Sequence, residues 1–237
     1  ADHVIFMSDG ERPARTVEPG DRIRRCELPP IPSCTACSTE MAWMLGMFVG
    51  DGSAYITHGR TQGKFTNADS HVRGAFAEVW KRVTCGDVRY SPTTSGFVEG
   101  KIIGALALVG APTFVEWLRS ECYTESGHKR VPRIVLNGDE GVWRAFLSGY
   151  NQTDGLKAGH GTYLFKNFKT NSPVLAMGLW WMAKRALGQD LVLNVEVGPA
   201  ERPGPFYSIN LRSPNPVGNK GAHLRRDLAE VKRIVPD

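Results

Sequence analysis

Apolar positions along the chain fall into two blocks that share one order of elements. The first follows Pro29-Pro-Ile-Pro32, which reads as a stiff linker. Ser38-Thr-Glu caps a predicted helix over roughly 39–50. Ser53–Thr57 and Lys64–Asn67 read as strands joined by a basic, Gly-containing turn. Val72, Ala75, Phe76, Val79 and Val83 share a helical face, so Ser70–Val83 is predicted to be a helix. Strands at Val88–Ser91 and Phe97–Ala105 follow, then a helix at Thr113–Glu121. The second block runs through a helix at Glu140–Thr153, a strand at Gly161–Phe168, and a helix at Ser172–Leu187 with Pro173 in its tolerant first turn. Strands at Leu191–Val197 and Phe206–Arg212 close it. Ahead of the linker, His3–Met7 alternates into a Ser-Asp-Gly turn at 8–10, and Arg15–Ile23 reads as a strand interrupted by Pro-Gly. Ser213–Gly221 reads as a loop, and His223–Val235 is basic and weakly patterned.

The first helix of each block ends on the same phrase. Met44-Leu-Gly-Met-Phe-Val-Gly-Asp-Gly52 and Leu147-Ser-Gly-Tyr-Asn-Gln-Thr-Asp-Gly155 both read apolar–small–Gly–bulky–x–x–small–Asp–Gly. Glycine inside a helix is unfavourable by roughly 0.8–1 kcal/mol against alanine. Glycine at the matched positions Gly46 and Gly149, with Gly50 four residues on in the first helix and Ala145, Gly149 and Thr153 repeating that spacing in the second, therefore points to a close helix–helix interface. Such a crossing brings Asp51 and Asp154 to one spot, each with a glycine after it that can turn the chain sharply. Carboxylates at helix C-termini face the negative end of the dipole and repel each other, which a bound cation or a shared proton resolves. Two aspartates suit Mg²⁺, which takes few carboxylates plus waters and phosphate oxygens. Two ions about 3.5–4 Å apart activate a water and stabilise a leaving oxygen, a phosphodiesterase arrangement.

Composition narrows the setting. A chain of 237 residues that is 41% hydrophobic can bury a large core. The net charge of +5, with pI near 9.0, permits nucleic acid as a partner without requiring it. Apolar runs such as Ile102–Ala111 are short of the ~20 residues a membrane span needs, and no secretion signal opens the chain. Five cysteines form no disulfide-like framework, which favours an intracellular setting, cytoplasmic or nucleoid-associated. Cys34-Thr-Ala-Cys37 has zinc-like spacing, with Cys26 and His71 as distant further ligands, but the bland reading is stronger. Trp180-Trp181 reads as core plus partial surface, and no HExxH, G-x-S-x-G or Walker loop occurs.

These motifs resemble those of the two-motif LAGLIDADG homing endonucleases, and more narrowly the endonuclease region of an intein. His128-Lys-Arg-Val-Pro-Arg-Ile-Val135 is similar to the family's Lys-x-x-Pro connector, and Lys129 lies 78 residues after Asp51 and 25 before Asp154. Asp2–Phe6 through Val17–Ile23 resembles the middle of a splicing domain, and Leu224–Pro236 its return strand. The resemblance implies an α+β fold with two pseudo-symmetric αββαββα-like halves at 32–134 and 135–222. It also implies a β-rich remnant at 1–31 and a return segment at 223–237. Asp51 and Asp154 would ligate two or three Mg²⁺ ions (Mn²⁺ substituting), with the Gly50 and Thr153 carbonyls as co-ligands. Lys129 would be the active-site lysine and Lys220 its second-half partner, with Arg202 and Lys232 as competitors. Val49 and Gln152 occupy the motif's first Asp position.

The activity implied is monomeric, site-specific cleavage of double-stranded DNA at a long asymmetric site. Each sheet would enter the major groove. Contacts in the first half would come from Tyr55, Thr57, Arg60, Gln62, Lys64, Thr66, Arg89 and Lys101, with Tyr90 as an addition. In the second half they would come from Lys157, His160, Tyr163, Lys166, Asn194, Asn210 and Arg212. The alternatives are a cleavage-inactive DNA-binding or maturase-like protein on the same fold, or part of a splicing intein. Splicing needs an N-terminal Cys or Ser and a C-terminal His-Asn. The sequence runs from Ala1 to Pro236-Asp237, so as it stands it is not expected to splice.

Overall fold

The computed structural model describes residues 3–24, 37–93, 98–103, 113–154, 167–187, 191–197, 204–211 and 228–230. The chain divides into two compact units, 31–212 and a smaller one from 1–30 with 213–237.

In the smaller unit, β1 (Val4–Met7), β2 (Gly10–Pro13), β3 (Arg22–Arg24) and β11 (Leu228–Glu230) form an antiparallel sheet in the order β11-β3-β1-β2. Where the pattern predicts one strand from Arg15, a single 3₁₀ turn at Ala14–Thr16 intervenes instead. Pro13 precedes that turn and Pro19 follows it, and neither proline can donate to a ladder.

The larger unit opens with α1 (Thr39–Asp51), where Ser38 accepts a hydrogen bond from Met41 N at 3.1 Å. The hairpin β4 (Gly52–Thr57) and β5 (Arg60–Thr66) follows. Its two-residue turn, His58-Gly59, has φ of 48° and 72°, the doubly positive geometry of a type I′ turn. Next come α2 (Ser70–Thr84), capped by Asp69, β6 (Asp87–Pro92) and β7 (Val98–Ile103). Then follow α3 (Phe114–Cys122), capped by Thr113, and a four-residue α4 (Arg133–Leu136) that the sequence pattern does not announce. The second motif helix is α5 (Glu140–Thr153), capped by Asp139. After it come β8 (Asn167–Thr170), α6 (Pro173–Leu187), β9 (Leu191–Val197) and β10 (Pro205–Leu211).

The architecture is the α+β class read from the sequence. The first sheet has the order β4-β5-β7-β6 and the second β8-β10-β9, so the second repeats the connectivity of the first's last three strands. The core joins one face of these sheets to the helices. Phe65 stacks on Phe76 with centroids 3.9 Å apart, Trp80 continues the cluster, and Phe114 meets Trp80 edge-on. Trp180 and Trp181 are half-buried, under the cations of Lys184 and Arg185.

Candidate active site

At the α1–α5 crossing, backbone lies directly against backbone. A methyl group built on Gly46 would stand 2.8 Å from Tyr150 N, with the Phe146 carbonyl oxygen nearer still. One on Gly149 would stand 2.9 Å from the carbonyl carbon of Trp43. Gly50 faces Thr153, and a methyl there would also lie 3.4 Å from Asp154 Cβ. Gly46, Gly50 and Gly149 thus form the seam. Ala145, expected beside them, is half-buried against the core, and the α5 atoms nearest the two α1 glycines come from Phe146, Tyr150, Thr153 and Asp154. Gly52 also departs from expectation. Its φ of −82° and ψ of 159° are extended, so no left-handed turn is made. Glycine is needed there because a side chain would strike the Phe48 ring.

The seam ends in the two acids, each held by a different donor. Asn67, just past β5 and only 6% exposed, donates through Nδ2 to Asp51 Oδ2 at 2.5 Å. Asn67 is itself fixed, since its Oδ1 accepts from Asp69 N and its carbonyl accepts from Arg73 Nη1. Asp154, the C-cap residue of α5, accepts at Oδ2 from the Tyr150 hydroxyl at 3.2 Å. Lys129 lies between the halves. Its Nζ donates to the Val49 and Gly50 carbonyls at 2.8 and 2.7 Å, placing an ammonium on the negative end of the α1 dipole. Its own carbonyl accepts from Ser172 Oγ at 2.5 Å, and that hydroxyl also accepts from Leu175 N at the start of α6. Glu121 braces the connector by accepting from Arg133 N and Arg133 Nη2, while its carbonyl accepts from Arg130 Nε.

Burial lowers the Lys129 pKa, although Asp154 and then Asp51 draw it up. Asp154 is exposed as a residue, yet enough protein surrounds its carboxyl that desolvation raises its pKa against the pull of Lys129 and Tyr150. Burial, with Asp154 and Asp51, pushes the Tyr150 hydroxyl well above its ordinary range. Both acids act on Lys129 and on Tyr150, so the two carboxylates and the ammonium share one locus. Among the described residues no group of three or more His, Cys, Asp and Glu gathers. The oxygens gathered at the seam are the two carboxylates and the carbonyls that end α1, and hard donors of this kind fit Mg²⁺ or Mn²⁺ better than a soft-ligand metal. The zinc reading rests on Cys26 and Cys34, which lie outside the described residues. Cys37 is buried beside the α1 cap, with its thiol pushed up to about 11 mainly by desolvation.

The structure superposes on I-DmoI, solved in complex with DNA and Mn, with a TM-score of 0.50 over 73% of this chain and 89% of that one, at 10% identity. The fold is that of the LAGLIDADG homing endonucleases. Also similar are the homing endonuclease I-WcaI bound to its DNA recognition sequence (TM-score 0.45, 11% identity, 75% of this chain and 77% of that one) and the N-terminal LAGLIDADG domain of DUF199/WhiA (0.43, 11%, 75% and 79%). No family model and no curated protein sequence matches the chain.

In this LAGLIDADG fold the face of the first sheet turned away from the core is polar. Strand register aligns Ser53, Lys64, Lys101 and Arg89 in one row across all four strands. Tyr55 pairs with Gln62 and Thr57 with Arg60, while Thr66 and Ser91 flank Glu99. All eight first-half residues expected to contact DNA share this face. Lys64 is already engaged, bonded to Glu99 at 2.8 Å and 5.3 Å from the centre of the Tyr55 ring. Tyr90 is a correction. Adjacent strand residues point to opposite faces, so Tyr90 cannot join Arg89. Its hydroxyl donates to the Arg73 carbonyl on α2 at 2.8 Å, and burial pushes its pKa up to about 12. In the second sheet Asn194 pairs with Ser208, and Asn210 with Val192 and Asn167. Lys157, His160, Tyr163, Lys166, Arg212, Lys220, Arg202 and Lys232 lie outside the described residues. Among the described residues no helix is long and apolar enough to cross a membrane.

Two members of the site escaped the sequence reading. Asn67 closes the predicted strand Lys64–Asn67, and the Thr-Asn pair at which β5 ends (66–67) recurs at 170–171, where β8 ends. That repeat was the available signal. Tyr150 sits inside the motif itself, at the place Met47 holds in the first half.

Proposed function

We propose that the chain is a site-specific, Mg²⁺-dependent endonuclease that cuts both strands of duplex DNA at a long asymmetric site. The observation that carries this reading is the convergence of Asp51, Asp154 and Lys129 on one glycine-lined seam. The cationic row Lys64–Lys101–Arg89 on the first sheet supports it, as does the likeness to I-DmoI, which was solved with DNA and Mn. The two carboxylates would hold the ions, with the Gly50 and Thr153 carbonyls as further oxygen donors. Gly50 O already accepts from Lys129, so it would offer the ion its second lone pair. The bound ions supply an activated water and a charge to stabilise the leaving oxygen. The Lys129 ammonium is tied at both ends of its residue, so it is preorganised to neutralise charge developing on the phosphate. The first-sheet face would lie in the major groove, its cations on phosphates and its Gln and Arg side chains on base edges. With both acids on one chain, a monomer suffices. Lys220 and the second-half contacts Lys157, His160, Tyr163, Lys166, Asn194, Asn210 and Arg212 complete the proposal.

The test is a selection for cut sites from a randomised duplex library with Mg²⁺, repeated with Mn²⁺. The wild-type protein is expected to return one long site. Asp51→Asn and Asp154→Asn should bind that site but yield no double-strand break. Binding without cleavage by the wild type would overturn the nuclease in favour of a cleavage-inactive DNA-binding protein.

A further inference from the structure

We propose that Tyr150 is a positioning residue for Asp154, and that it makes the two halves of the centre unequal. This deepens the nuclease reading and rests on it. Tyr150 and Asp154 are four residues apart on α5, so they share a face one turn apart. The Tyr150 ring is fully buried and meets Phe168 edge-on at 5.4 Å. Its backbone N is packed against Gly46 at the seam. Ring and backbone are therefore immobilised, and the hydroxyl is delivered to Asp154 Oδ2 at 3.2 Å.

Phenylalanine would fill the same volume, so the only part of this side chain that packing leaves unexplained is the oxygen. Its counterpart on α1 is Met47, buried and without a donor. Asp51 takes its donor from another element instead, through Asn67 beyond the end of β5. One acid is thus anchored within its own helix and the other from a neighbouring strand end. Loosening one anchor should disturb one carboxylate far more than the other.

The experiment compares wild type, Tyr150→Phe and Asn67→Ala on the full chain, with two readouts. In the first, Mn²⁺ alone is titrated by calorimetry, without DNA. Partners that orient a metal ligand typically contribute about 10–100-fold in affinity, and Tyr150→Phe is expected to weaken Mn²⁺ by roughly 10-fold. In the second, the duplex selected by the wild type is labelled separately on each strand. Tyr150→Phe is expected to slow one strand preferentially, so that nicked product accumulates, and Asn67→Ala to slow the opposite strand. Unchanged Mn²⁺ affinity together with an unchanged strand ratio overturns the assignment. So does equal slowing of both strands with a lowered Tm, which marks a purely structural role. If the wild type cuts no duplex, the nuclease reading fails while the Mn²⁺ titration still decides whether Tyr150 orients the acid.

Discussion

Replacing Gly149 with alanine adds one methyl group where α5 passes α1. That carbon would stand 2.9 Å from the Trp43 carbonyl carbon and 3.1 Å from Met47 N, whereas ordinary contact begins near 3.4 Å. The Trp43 carbonyl oxygen would be nearer still, and helix backbone cannot rotate aside, so the axes must part by about an ångström or more at that point. Overpacking of this kind costs about 3 kcal/mol at the upper end of its usual range. Alanine returns about 1 kcal/mol through helix propensity, leaving a net loss of about 2 kcal/mol. For a chain of this size each kcal/mol moves Tm by roughly 2–4 °C, so Tm should fall by about 4–8 °C. Gly74 provides the control, because a methyl group there meets nothing within 4 Å on the exposed side of α2. With propensity alone at work, Gly74→Ala should raise Tm by roughly 2–4 °C. Thermal melts followed by circular dichroism in one buffer read both variants. If Gly149→Ala raises Tm as Gly74→Ala does, the backbone contact is absent and the placement of the two acids loses its basis.

Three further predictions follow from described side chains. Tyr90→Phe removes a buried hydrogen bond to the Arg73 carbonyl and should lower stability at neutral pH by about 1 kcal/mol, with no effect on DNA binding. The folded protein holds the Tyr90 proton up to about 12, against 10.0 for the free group, so stability present below pH 10 is lost as pH rises through 12. Urea midpoints taken from pH 9 to 11.5 should fall less steeply in Tyr90→Phe. Glu121→Gln should cost about 1–3 kcal/mol at pH 7, since Arg133 bonds to a buried carboxylate. Burial pushes the Glu121 pKa up, but the Arg133 hydrogen bonds and charge outweigh it and leave it below 4.5. The advantage of wild type should therefore hold above pH 4.5 and shrink as pH falls below it, as read by urea midpoints. Lys101→Ala should weaken DNA binding evenly across sequences and reduce the slope of log K against log salt by about 1, measured by fluorescence anisotropy.

The motif helices were the most legible part of the chain, for reasons internal to each. Ser38 and Asp139 supply local caps, and glycine recurs at a spacing that only close packing explains, so α1 and α5 could be read without knowing what they touch. The hairpin was legible as well, but its turn was read across 58–63, whereas the chain reverses in the two residues His58-Gly59 and β5 already begins at Arg60. What could not be read was anything decided by the return of the chain. Asn67 reaches Asp51 only because the hairpin folds back beside the end of α1. Nothing local to Lys129 says that its ammonium will bond to carbonyls about eighty residues earlier, and only the family resemblance pointed there. The inclusion of Tyr90 was a parity error, because strand alternation separates it from Arg89. The 3₁₀ turn at 14–16 was hidden by a run in which prolines punctuate what otherwise reads as strand.

The segment between the halves behaves as a rivet, not a leash. At residue 129 the side chain grips the end of one half while the main chain is gripped by Ser172 of the other, and the preceding Tyr123 hydroxyl accepts from Ala54 N. Slack in an ordinary tether costs little, because loop entropy grows only slowly with length. Here the spacing of the joint is itself the gauge that sets one half against the other. Length can be added harmlessly only at the exposed tip, Glu125–Gly127, where the chain merely reverses. Neither block can therefore be exchanged as an independent module, because the residue that registers them bonds to both at once.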